Sequence, residues 1–92
     1  MANFIVSYDL NGSSPSHEEM DEHVRFVASR SGRLLESVWW VSYWGSAAQL
    51  RDQLKVILGS EDLLLVAEAR DAAWTSLLVD HHGFVEAWHA AA

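Results

Sequence analysis

R-L-L-E-S-V-W-W-V-S-Y-W, running from Arg33 to Trp44, decides how this chain folds. β-branched and aromatic residues dominate it, which argues for strand over helix. Its twelve residues exceed the ~5–6 of a usual strand. Glu36-Ser37 interrupts the apolar run, so we place a tight turn there. That predicts a short strand near Arg33–Glu36 and a longer one near Val38–Trp44; a single bent strand is the alternative.

A strand and a helix lie on each side of this hairpin. N-F-I-V-S-Y-D, from Asn3 to Asp9, supplies Phe4, Ile5, Val6 and Tyr8, strand formers whose close spacing implies burial on both faces. Asn11-Gly12-Ser13-Ser14-Pro15 reads as a loop. Ser16 with Glu19 forms a capping box, and Met20, Val24, Val27 and Ala28 recur at helical spacing. Gly32 is the natural terminator of that helix. After the hairpin, Ser46 with Gln49 repeats the capping box, and Ala47, Leu50, Leu54, Ile57 and Leu58 make an apolar stripe that Gly59 ends. Asp62 to Ala69 is the last strand, with Leu63-Leu64-Leu65-Val66 expected as its buried centre. The alanine-rich remainder predicts short helices near Ala72–Leu78 and His82–Ala91, packed through Trp74, Leu77, Leu78, Phe84, Val85 and Trp88.

The order strand, helix, strand, strand, helix, strand, tail makes this an α+β chain. Two right-handed βαβ units give an antiparallel sheet with both helices on one face, a ferredoxin-like βαββαβ sandwich with a short helical C-terminal tail. One domain covers residues 1–92, with its core in about 3–70 and its tail in 71–92. The aromatic strand must point apolar side chains to both sheet faces. Trp39, Trp40, Tyr43 and Trp44 are therefore interface candidates, and a homodimer through the sheet face or edge is expected.

Composition narrows function. There are no cysteines, which removes disulfides, thiolate metal sites and cysteine nucleophiles and suits a reducing compartment. No signal peptide and no span of ~18 apolar residues is visible, so a cytoplasmic location is expected and membrane binding is not. Thirteen acids against six Lys and Arg give a net charge of -7. Nucleic-acid binding depends on bases that neutralise phosphates, so this charge disfavours it and favours a protein partner with a basic surface.

I-V-S-Y-D-L, E-S-V-W, S-A-A-Q-L-R-D-Q-L and D-L-L-L-V-A-E, spread over Phe4 to Ala69, resemble the small CRISPR-associated adaptation protein family and its VapD-like and SinR-like relatives. Tyr8-Asp9 at the strand end and Ser37-Val38-Trp39 carry most of the likeness. D-A-A-W at Asp71–Trp74 is most similar to the SinR-like branch. The resemblance implies a ferredoxin-like fold and a symmetric dimer. It also implies that Asp9, the aspartate ending the first strand, holds Mg2+ or Mn2+ with its symmetry mate in a metal-dependent ribonuclease or deoxyribonuclease, as catalytic and metal residue. This chain departs from that pattern in its acidity and in lacking a basic cluster near Asp9.

The residues alone leave Asp9 two roles, because an aspartate also caps a following turn such as Leu10–Gly12. Asp80-His81-His82 echoes the D-H-H phosphoesterases without their further acidic motifs. His82 and His89 are too few ligands for zinc. Arg25, Arg30 and Arg33 are candidates for a small anion patch at the end of the first helix, and helix-dipole complementarity explains Arg25 and Arg30 equally well. The tryptophans lack the interleaved cations of a base-stacking platform. The preferred reading is a non-enzymatic protein-interaction or assembly subunit; the alternative is the metal-dependent nuclease.

Overall fold

The computed structural model describes residues 1–91. Strand β1 (Ala2–Asp9), helix α1 (His17–Val27), strands β2 (Arg30–Leu35) and β3 (Val38–Tyr43), helix α2 (Ala47–Leu54), strand β4 (Leu63–Glu68) and helix α3 (His81–Ala91) follow in that order. A short 3-10 turn, Lys55–Ile57, extends α2. The strands form one antiparallel sheet in the order β2-β3-β1-β4, so β1 lies inside and β2 and β4 are the edges. The protein is therefore α+β, with a single four-stranded sheet between helices.

Strand alternation splits the apolar residues into two cores. Phe4, Val6 and Tyr8 of β1 join Trp39 and Val41 of β3 on the inner face, under Met20 and Val24 of α1 and Leu50 and Leu54 of α2. On the outer face Leu34 and Trp40 pack against Phe84, Ala87 and Trp88 of α3, with Ile5, Trp74 and Leu77 around them. β1 is thus covered on both sides. Both capping boxes form, with Ser16 accepting from the Glu19 N–H and Ser46 from the Gln49 N–H at 3.1 Å each.

Four expectations change. Helix α1 stops at Val27, not at Gly32, because Ser29 N–H donates to Ser42 O and Arg30 N–H to Ser42 Oγ, which draws this backbone into the sheet. Gly32 then lies inside β2, opposite Trp40. The run Leu63–Val66 is not a buried centre: β4 is an edge strand, and Leu63 and Leu65 point outward, 59% and 65% exposed. Residues Ala72–Leu78 form no helix; the segment spreads Trp74 and Leu77 across the outer core, and Leu78 N–H donates to Leu34 O at 2.9 Å. Trp39 and Trp40, expected at an interface, are buried within the chain at 2% and 3% exposure, since α1, α2 and α3 already cover both faces.

Candidate functional site

Asp9 ends β1, opposite Leu63 of β4, on the outer face of the sheet. Its side chain is exposed. With Ser7, Tyr8 and Leu63–Leu65 it lines a shallow depression of about 170 Å3. The turn that follows is capped by another residue. Asp62 Oδ1 accepts from the N–H of Asn11 at 2.8 Å and of Gly12 at 3.2 Å, and its Oδ2 accepts from Gly59 N–H at 2.8 Å. These amides, Gly59 first, hold the Asp62 carboxyl below the usual carboxylate range. Asp62 therefore does the work that local spacing gave to Asp9, and Asp9 is left without a structural duty.

A lone carboxylate does not make a site for a hard divalent cation, which takes six or more oxygens. Among the described residues no three His, Asp or Glu side chains converge to hold a metal ion. Within one chain the residues around Asp9 do not fit Mg2+ or Mn2+; a second carboxylate would have to come from another copy.

The histidine motif resolves into helix architecture. Asp80 starts α3, with Oδ2 accepting from Gly83 N–H at 2.8 Å and its carbonyl from Phe84 N–H. Trp74 Nε1 donates to His81 Nδ1 at 3.3 Å. Of the four aromatic interface candidates, Tyr43 is half-buried, edge-on to Phe4, and only Trp44 is well exposed, at 72%. Arg25 and Arg33 do converge, each guanidinium 5.3 Å from the centre of the Trp39 ring. Arg33 is also paired with Asp21.

That pair belongs to a buried polar chain the sequence reading missed. Trp39 Nε1 donates to Tyr8 Oη at 3.0 Å, Tyr8 Oη donates to Asp21 Oδ1 at 2.6 Å, and Arg33 donates to Asp21 Oδ2. Burial, then the bond to Asp21, push the Tyr8 phenol up to about 12, against a smaller opposing effect of Trp39. The one available sign was that Asp21 falls on the same helical stripe as Met20, Val24 and Ala28. On the outer face, Trp40 Nε1 donates to Asn3 Oδ1 at 2.8 Å and Asn3 Nδ2 to Trp88 O at 3.1 Å, which ties α3 to the central strand. Both arrangements pair polar side chains within the fold, and among the described residues Arg33 Nε is the one buried side-chain polar atom left without a partner.

The fold and this site define a small α+β protein whose buried polar residues bond to one another across the sheet and its helices, and which leaves Asp9 and the β4 leucines Leu63 and Leu65 exposed. No protein-family model, no curated protein and no solved structure matches the chain.

Proposed function

We propose that this chain is a homodimeric ferredoxin-like module that works by binding protein surfaces, as an interaction or assembly subunit, and turns over no substrate. One observation carries the reading: Leu63 and Leu65 stand exposed side by side on an edge strand, while Trp39, Trp40 and Trp88 are buried in the chain's own cores. Adjacent exposed leucines beside an open strand are a surface that favours a partner over water. The strand order β2-β3-β1-β4 with helices after β1 and β3 supports the ferredoxin-like assignment. The charge of -7 favours basic protein surfaces over nucleic acid. The lack of cysteine supports a cytoplasmic setting.

Light scattering at micromolar concentration is the test. A mass of twice the 10.3 kDa chain is expected, and a stable monomer overturns the reading. The exposed, unengaged Asp9 favours a second reading, the metal-dependent nuclease of the resembled family. Under that reading RNA or DNA is cut with Mg2+ or Mn2+, and Asp9→Asn abolishes cutting in an intact dimer. Under the first, purified protein cuts neither.

A further inference from the structure

We propose that two copies of this chain pair edge to edge through β4, antiparallel, in the one register centred on Val66, so that the sheet continues from one copy into the next. This deepens the homodimer reading and rests on it.

The two edges of the sheet are unlike. At the β2 edge Leu78 N–H already occupies Leu34 O, and Arg30 and Arg33 add charge. Charge and cover are the usual protection of an edge. β4 has neither: L-L-L-V-A-E contains no Lys, Pro or Gly, and its one charge is the terminal Glu68. Ala69 N–H donates to Asn3 O at 2.9 Å, which places Ala69, Ala67, Leu65 and Leu63 in hydrogen-bonded pairs with β1. The backbone groups of Leu64, Val66 and Glu68 therefore point away from the sheet. Among the described residues no backbone hydrogen bond from a turn or loop reaches them.

Identical strands paired antiparallel are related by a two-fold axis, so the contact closes on itself. Backbone direction leaves few registers, because only Leu64, Val66 and Glu68 can form the new hydrogen-bonded pairs. Charge separates the two that overlap most. Centring on Leu65 sets Asp62 opposite Glu68 of the second copy, twice, and like charges directly opposite repel. Centring on Val66 sets Asp62 opposite Arg70, twice. It also lays Leu65 beside Ala67 and Leu63 beside Ala69 of the second copy on the outer face, which covers the exposed leucines.

The register carries a corollary for Asp9. Leu63 of each copy lies six residues along the strand from its mate, about 20 Å at ~3.4 Å per residue. Two Asp9 carboxylates so placed share no cation. Edge pairing and a nuclease centre built from paired Asp9 residues exclude each other.

The experiment uses the full chain, whose lack of cysteine makes any introduced thiol unique. In the Val66 register the two Val66 Cα atoms approach to about 5.5 Å, within disulfide range. The two Leu65 Cα atoms stay beyond ~7 Å, outside that range. Val66→Cys with oxidised glutathione is expected to give a covalent dimer on a non-reducing gel, and Leu65→Cys is not. Glu68→Pro removes an N–H that faces away from β1, so the fold survives while two symmetry-related hydrogen bonds of the dimer go. The dissociation constant is expected to rise roughly 30-fold. Arg70→Glu is expected to raise it about tenfold. Cross-linking at Leu65→Cys in place of Val66→Cys overturns the register. A dimer that neither cross-links at Val66→Cys nor responds to Glu68→Pro overturns edge pairing and leaves the homodimer reading standing. A monomer at all concentrations overturns both.

Discussion

Replacing Tyr8 with phenylalanine tests whether the buried chain Trp39–Tyr8–Asp21–Arg33 holds the inner core together. The substitution removes one oxygen and keeps the ring, so packing among Phe4, Val6 and Met20 is conserved. It deletes a hydrogen bond to a charged acceptor at 2.6 Å and leaves the Trp39 N–H without its acceptor at 3.0 Å. A bond to a charged group contributes ~1.5–3 kcal/mol and an orphaned buried donor costs at least ~1 kcal/mol, so a loss of about 3 kcal/mol is expected at neutral pH. At ~4–8 °C per kcal/mol for a domain of this size, the melting temperature should fall by roughly 15 °C. The phenol adds a second signature. Its pKa is raised in the fold from 10.0 to about 12. A raised folded value means that the stabilisation is complete below the unfolded pKa and is lost as pH climbs through the folded one. Between neutral pH and about pH 11.5 the wild-type chain should lose roughly 1–2 kcal/mol of it, and Tyr8→Phe should not. Urea titrations followed by tryptophan fluorescence, from neutral pH to about pH 11.5, measure both effects. A neutral-pH loss under ~1 kcal/mol, or a gap between the two proteins that does not narrow with alkali, would refute the reasoning.

Three further outcomes are expected. Asn3→Ala should cost about 2 kcal/mol, since Trp40 N–H and Trp88 O both lose their partner, and amide exchange should quicken across α3 more than across α1. Gly45 sits at φ 145°, where an added Cβ would meet Gln49 Oε1 at 2.7 Å and Tyr43 at 2.8 Å. Gly45→Ala should therefore lower stability by about 2 kcal/mol in denaturant unfolding. The lowered pKa of Asp62 stabilises the Asn11–Gly12 and Gly59 turns above the ordinary carboxylate range and ceases to do so as pH falls through its folded value. NMR protection factors of those three amides should drop in acid, and Asp62→Ala should show the low protection already at neutral pH.

Local chemistry made much of this fold legible. The helix starts were readable because a Ser with Glu or Gln three residues on satisfies backbone donors that any helix leaves free. The break at Glu36-Ser37 was readable because two polar residues cannot continue so apolar a strand. What failed depends on partners distant in sequence. Nothing near Gly32 announces that Ser42 will take the backbone of Ser29 and Arg30. Four apolar residues at Leu63–Val66 look the same in a central strand as in an edge strand, since periodicity does not encode strand order. Ala72–Leu78 has helical propensity, and tertiary packing of Trp74 and Leu77 overrode it. At the candidate site, Asp9 was recognisable from its position at a strand end. Its freedom from the following turn was not, because the competing cap, Asp62, lies 51 residues from Asn11.

The bond from Asn3 to Trp88 spans 85 residues, nearly the whole chain. The central strand leaves the ribosome before both of its neighbours, β3 and β4, and before the helix that seals its outer face. β1 must therefore wait unpaired through most of synthesis, with Phe4, Ile5 and Val6 open to any strand that meets them. The outer core cannot assemble before the last helix emerges. Docking of α3 is therefore the step that closes the outer core, and truncation within α3 should expose Trp40 and the middle of the sheet together.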